Sequence, residues 1–308
     1  MPTILIAGGS GLVGMHLSQM LQAAGHKVLH LSRRRTDSYR DNAQFPAYAW
    51  DLEKMTIDQE AVDQADFIIN LAGAGIADKR WTDERKRLII SSRVDSTLLL
   101  KAAIKRRPAP LQAFISASAV GFYGSRGDNL MTEEDPAGKD SFLAESVTAW
   151  EEAVDKIAAT GLRTVKIRIG IVLSTQGGAL QKMLIPSHFF TATYFGDGQQ
   201  WMSWIHLDDI CRIFLEAMDN ERMSGVYNGV APHPFRNQDF TVELKTALGK
   251  PAILLPAPAF ALRAAMGEMA DVVLDSTRVS SKKMESTGFK FLFPDLQPAL
   301  QDLLRRKI

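Results

Sequence analysis

Four glycines, Gly8, Gly9, Gly11 and Gly14, follow a short apolar run, Ile4–Ala7, and lead into a helical pattern of Leu12, Val13, Leu17, Met20 and Leu21. Between a strand and a helix, that spacing points to a phosphate site. The first glycines let the chain turn sharply, Gly11 lets backbone approach a pyrophosphate, and Gly14 lets the helix pack close to the strand. The phosphates then meet free N–H groups at the helix N-terminus. The alternative is a tight turn with no ligand. The next strand, Val28–Ser32, runs into Arg33, Arg34 and Arg35. This is where a dinucleotide-binding domain meets the adenosine ribose. An acid there would bond the 2′-hydroxyl and mark NAD, whereas cations suit a 2′-phosphate. The reading favours NADP, and Asp37 keeps NAD open.

Other groups carry weaker signals. Trp50-Asp51-Leu52 stands where adenine is often contacted, although a core tryptophan beside a surface acid would look the same. Six histidines lack metal-ligand spacing, so no metal site is expected. The single cysteine, Cys211, excludes a disulfide framework and reads as a buried thiol of a cytoplasmic protein. Net charge is +1, with 46% hydrophobic and 23% charged residues. That balance favours neither a nucleic-acid nor a membrane partner. No apolar run approaches the ~18 residues of a membrane span.

The elements that must position these groups alternate. Phe67–Leu71, Ala113–Ser118 and Thr164–Leu173 are continuous apolar strands, as in a sheet covered on both faces. Helices fall between them, over 81–107 with Thr82 as N-cap and over 142–160 closed by Gly161. This predicts an α/β fold, a Rossmann-type doubly wound parallel sheet with a smaller C-terminal substrate lobe. The sheet domain is expected over 1–174 with 203–222 returning to it, and the lobe over 175–202 and 223–308. A helix over 260–274 and a short strand over Phe289–Phe293 are expected near the C-terminus.

The stretches Gly8–Gly14, Asn70–Gly73, Arg93–Thr97 and Ser116–Gly124 together resemble an extended short-chain dehydrogenase/reductase. More narrowly, Ala77–Thr82, Ser203–His206, Asn228–Pro232 and the closing Gly288–Leu296 resemble the atypical family labelled NAD-dependent epimerase/dehydratase or nucleoside-diphosphate-sugar epimerase. The resemblance covers essentially the whole chain. It implies that Gly8, Ser10, Gly11, Leu12 and Val13 hold the pyrophosphate, and that Ser32 and Arg33, with Arg34 beside them, hold the 2′-phosphate. It also implies that Leu71, Ala72, Gly73 and Arg93 line the cofactor. Ser116, Ala117 and Ser118 would sit beside the nicotinamide, with Gly170, Ile171 and Val172 closing over it. Asp51 completes the expected contacts, near adenine.

The superfamily's chemistry implies a tyrosine acid–base with a lysine four residues on, because a free tyrosine titrates near pH ~10. Four residues after Tyr39, Tyr48, Tyr123, Tyr194 and Tyr227 stand Ala43, Leu52, Gly127, Gly198 and Ala231. The pair is missing, and the corresponding segment reads Phe142-Leu143-Ala144-Glu145-Ser146-Val147. Ser118 could still orient a substrate oxygen. Tyr123 could act in catalysis or pack as the aromatic of a turn. Glu133, Glu134 and Asp135 could supply a base or a wet loop face, and His206 reads chiefly as a structural part of a strand-to-helix turn. Trp81, Trp201 and Trp204 could wall a pocket or sit in a core. Two functions therefore stand side by side: an atypical NADP-dependent oxidoreductase or epimerase-like enzyme on an unknown small molecule, and a catalytically silent NADP-binding sensor. A homodimer is open.

Overall fold

The computed structural model describes residues 1–33, 44–139, 141–249 and 251–306. From β1 (Thr3–Ala7) the chain passes through α1 (Leu12–Ala23), β2 (Lys27–Ser32), β3 (Ala47–Asp51), β4 (Thr56–Ile57), α2 (Gln59–Gln64), β5 (Phe67–Asn70) and α3 (Asp83–Lys105). It continues through β6 (Ala113–Ala119), β7 (Leu130–Met131), α4 (Phe142–Ala158), β8 (Thr164–Ile169), β9 (Ile171–Leu173), α5 (Gly178–Met183), β10 (Thr191–Phe195), β11 (Trp201–Met202) and β12 (Trp204–His206). Then come α6 (Leu207–Asp219), β13 (Gly225–Gly229), β14 (Phe235–Arg236), α7 (Asn237–Leu248), β15 (Ile253–Ala257), α8 (Ala259–Met266), α9 (Asp271–Leu274), β16 (Arg278–Val279), α10 (Lys282–Ser286) and α11 (Leu296–Arg305).

The apolar strands make one eight-stranded sheet in the order β13-β8-β6-β5-β1-β2-β3-β4. Its pairs are parallel except β3 with β4. Helices cover both faces, so Ile4, Leu5 and Ile6 of β1 and Ile68 and Ile69 of β5 are all 0% exposed. Each such side chain contributes roughly 1.5–3 kcal/mol by leaving water. The strand order reverses between β1 and β5, and in open α/β sheets ligands bind beyond the carboxyl ends at that switch point. The predicted fold class is what the chain adopts.

The helices start where their caps fall. Thr82 accepts the Arg85 N–H at 3.1 Å and opens α3, as its position predicts. Ser141 caps α4 through the Ala144 N–H. His206 opens α6 by accepting the Asp208 N–H at its Nδ1, 3.0 Å away.

A second core joins α5, α7 and α11, with Leu180, Phe240, Leu244, Leu300 and Leu303 around the fully buried Trp204. This is the smaller lobe. Three features depart from expectation. Residues 225–229, expected in the lobe, form β13 and pair with β8 in the large sheet. The 260–274 helix breaks at Gly267, whose φ of +63° ends α8 before α9 begins. Phe289–Phe293 is not a strand. The fully buried Asp209 carboxylate instead accepts the N–H groups of Leu292 and Phe293, each at 2.8 Å.

Candidate cofactor and substrate cleft

The glycine turn lies at the carboxyl end of β1. Gly8 has φ +84°, which a side chain rarely tolerates. At Gly14 a Cβ would stand 2.3 Å from the Gly8 carbonyl oxygen, so only glycine lets α1 lie this close to the turn. Below it the buried His30 ring packs against Gly9 and shares a 2.7 Å hydrogen bond with Ser18. Burial lowers the His30 pKa to about 4, so the ring is neutral. Ser10 and Gly11 are exposed, Leu12 and Val13 partly buried. No side chain caps α1, and its first turn contains no acid. The first-turn N–H groups thus face the cleft without intrahelical acceptors.

Ser32 and Arg33 close β2 beside this turn, Ser32 partly buried and Arg33 exposed. Arg34 lies outside the described residues. Asp51 is already engaged: one carboxylate oxygen accepts the Glu53 and Lys54 N–H groups at 2.9 and 3.0 Å, capping the turn after β3.

At the end of β5, Leu71 and Ala72 lie beneath Gly8, whose added Cβ would touch Leu71 at 2.8 Å. Arg93 of α3 lies against Gly73, where a Cβ would meet its Cζ at 2.9 Å. Its guanidinium donates to the Ile89 carbonyl at 2.9 Å and sits 5.2 Å from the Trp150 ring. Among the described residues no carboxylate pairs with it. Burial, with Arg85 adding, lowers its pKa to about 10. Gly170, Ile171 and Val172 continue from β8 across the same end of the sheet, and Gly170 and Ile171 line a cavity there.

Ser116, Ala117, Ser118 and Tyr123 are buried. Ser116 donates to the Ala117 carbonyl. Ser118 donates to Glu151 of α4 at 2.6 Å. Arg168 of β8 clasps Glu151 with Nε and Nη2 at 2.8 and 2.9 Å, and Lys166 adds a 3.3 Å ion pair. Burial alone would raise the Glu151 pKa, but Arg168, Ser118 and Lys166 outweigh it and hold the carboxylate ionised. The Tyr123 hydroxyl donates to Asn228 at 2.7 Å and accepts from Arg168 at 3.0 Å. Burial pushes its pKa up to about 12 against the pull of Arg168. Both candidate hydroxyls thus have their partners inside a buried network and neither lines the cavity. Tyr123 is the packed aromatic of the turn. Glu133 belongs to this frame, accepting the Asn228 N–H at 2.8 Å, and Asp135 caps Thr132.

The cavity, about 240 Å³, lies between the carboxyl ends of β6 and β8 and the small lobe. Gly121, Leu143, Val147, Ile169, Gly170 and Ile171 form the sheet side, and Met183, Phe195, Trp201, Met202, Val272 and Val273 the lobe side. Leu143 and Val147 stand in the segment where the tyrosine–lysine pair is missing. Trp201 is a wall residue, Trp204 is core, and Trp81 is buried with its indole N–H on the Ile76 carbonyl. Asp275 also faces the cavity. It escaped sequence reading, because nothing around a lone acid after an apolar helix marks it as walled in.

No metal spacing was visible in the sequence, yet the fold gathers His206, Asp208 and Asp302, with potential ligand atoms within 4.8 Å of one another. Arg306 occupies that cluster, reaching Asp208 at 2.7 Å and Asp302 at 2.8 Å. His16 bonds Asp208 from α1. The cluster ties α11 to α1 and α6.

The chain has known relatives. The model of the NAD dependent epimerase/dehydratase family matches residues 4–228, and a domain of unknown function, DUF1731, matches 257–303. The chain is 35% identical to the epimerase family protein YfhF of Bacillus subtilis, over 98% of this chain and 97% of that one. It is 36% identical to the chloroplastic SDR39U1 homolog of Arabidopsis thaliana, over 98% of this chain and 87% of that one. Among solved structures, human epimerase family protein SDR39U1 with NADPH superposes with a TM-score of 0.88 at 30% identity, over 98% of this chain and 99% of that one. The fold, the open glycine turn and these matches agree, and the chain belongs to the NAD dependent epimerase/dehydratase family.

Proposed function

We propose that the chain binds NADP(H) across the carboxyl ends of β1, β2 and β5 and serves as an oxidoreductase on a small carbonyl or alcohol compound. One observation carries the reading: the Arg93 guanidinium, packed against Gly73 beside the open glycine turn, has no carboxylate partner among the described residues. A cation partly withdrawn from water is costly to leave unpaired, and a dinucleotide pyrophosphate is an anion that could reach Arg93. Gly8, Ser10, Gly11, Leu12 and Val13 would hold the pyrophosphate with Arg93, and Ser32 and Arg33 the 2′-phosphate. Leu71, Ala72, Gly170 and Ile171 would flank the nicotinamide, which when bound supplies or accepts a hydride. The NADPH complex of the human relative supports NADP over NAD. A second reading, a silent cofactor-binding sensor, is favoured by Leu143 and Val147, which offer no proton where the family's pair would.

Titration of NADPH and NADH, followed by protein fluorescence, tests the cofactor. Wild type is expected to prefer NADPH. Arg33→Ala should lose roughly tenfold in NADPH affinity and little for NADH, since only the 2′-phosphate meets it. Arg93→Ala should weaken both. Equal affinity of wild type for the two dinucleotides would overturn the NADP assignment, and binding of neither would overturn the reading itself.

A further inference from the structure

The cavity wall holds few polar side chains, and nearly all are already satisfied. Ser203 donates to the Thr277 carbonyl and accepts the Val279 N–H. Thr277 donates to the Gly124 carbonyl. Asn237 accepts the Phe195 N–H and donates to the Met202 sulfur. The Trp201 indole donates to Asp128, and Asp271 accepts from Arg263 at 2.8 Å. Asp275 is different: among the described lining residues it is the polar side chain with no hydrogen bond or ion pair of its own. A partly buried carboxyl group beside apolar side chains with no partner is an open contact: ionised it fits a ligand hydroxyl, and protonated it fits a ligand carbonyl oxygen.

We propose that Asp275 is the acid–base residue of this cleft, acting on the carbonyl or hydroxyl oxygen of a small, largely apolar substrate. The proposal rests on the NADP(H) reading above. The cavity's size agrees, since about 240 Å³ falls below the roughly 300–1,000 Å³ that drug-sized ligands occupy. The side chains of the described lining residues offer no free array of donors for the hydroxyls of a sugar. The charges facing Asp275 are Asp271 on α9 and Arg263 on α8, and the walls from α4, α5, β10 and β11 contribute no ionisable group. Burial, with Asp271 adding and Arg263 opposing, raises the Asp275 pKa to about 6, so both protonation states are accessible near neutrality. In reduction, the carbonyl carbon gains a hydride from the reduced dinucleotide while the Asp275 carboxyl gives its proton to the oxygen. The products are an alcohol, the oxidised dinucleotide and the Asp275 carboxylate, which regains its proton from water. Oxidation of an alcohol runs these transfers in reverse.

Two measurements decide it. The first uses the full chain without cofactor and acetophenone as probe, read by the quenching of tryptophan fluorescence, to which the wall residue Trp201 contributes, at roughly pH 5 and roughly pH 7.5, either side of the Asp275 titration. Wild type should bind the ketone about threefold or more tighter at the lower pH, where Asp275 carries a proton to donate. Asp275→Asn, whose amide donates at every pH, should bind it without pH dependence. The second uses the NADPH-loaded protein with benzaldehyde. NADPH should be consumed, and Asp275→Asn should lower kcat about 100-fold with KM little changed. The proposal fails if the variant keeps the wild-type pH dependence or turnover. It also fails if neither probe compound binds a protein that binds NADPH. Pronounced ketone binding without aldehyde turnover would overturn the acid–base role. Failure of NADPH itself to bind would strike the cofactor reading alone, because the acetophenone measurement needs no dinucleotide.

Discussion

Glu151 is where the buried polar contacts of the sheet converge. It accepts from Ser118, is gripped by two nitrogens of Arg168, and pairs with Lys166. Arg168 in turn stacks 3.4 Å from the Phe122 ring centroid and donates to Tyr123. Removing the carboxylate that Arg168 clasps should be costly. Glu151→Ala is expected to lose about 3–5 kcal/mol of stability, since the buried Arg168 remains without its anion while Lys166 keeps Asp155 at 2.7 Å. Urea unfolding measures it, and a loss below about 1 kcal/mol would show that the network relaxes or admits water. Ser118 and Tyr123 were visible in the sequence as hydroxyls near a strand end. Their engagement was not visible, because the groups that claim them, Glu151, Arg168 and Asn228, come from a helix and two other strands.

At the scale of elements, α6 organises the seam between the two cores. Its His206 cap stacks on Phe293 at 4.0 Å, and its Asp209 holds the backbone of 292–293. A run such as Phe289-Lys290-Phe291-Leu292-Phe293 alternates like a strand, and by pattern alone it reads as one. The backbone donors go instead to a carboxylate 83 residues away, at Asp209. Asp209→Ala should therefore cost about 3 kcal/mol through lost charge-assisted bonds. It should also speed hydrogen exchange at the Leu292 and Phe293 amides ahead of the sheet. Unchanged protection at those two amides would show that packing of the phenylalanines alone holds the segment.

Across the whole molecule, titrating groups are placed so that acid loosens it. His30 beneath the glycine turn titrates near 4 rather than at its ordinary 6.5, and burial also lowers His206. Their neutral forms belong to the fold, so their contribution is full above 6.5 and is lost as pH falls through the folded-state values. Asp208 behaves alike at lower pH. Burial would raise it, but His16 and Arg306 depress its pKa, so its contribution is full above 3.8 and lost below. Asp275 runs the other way, its raised value favouring the protonated form, with stability lost as pH rises from 3.8 through about 6. Between pH 6.5 and 3.8 the two histidines oppose Asp275, and Asp208 adds its loss below 3.8, so the unfolding free energy is predicted to decline from about pH 6.5 downward. His30→Gln should flatten part of that decline. Stability that rises on acidification over this range would show that the two histidines do not loosen the fold in acid.

Much of the molecule was legible in the residues themselves. The parallel sheet followed from apolar strands alternating with helices. The α3 cap followed from Thr82, and the glycine turn after β1 from glycines whose spacing is set by local backbone geometry. Those properties depend on neighbours a few residues apart, and a one-dimensional reading contains them. The fate of side chains at the site depends on which strands and helices meet, and that is a property of packing. Tertiary structure alone decided that Ser118 and Tyr123 are spent on a buried network and that β13 joins the large sheet. It alone left Arg93 at the edge of the cleft and Asp275 in its mostly apolar wall, each without an ion-pair partner among the described residues.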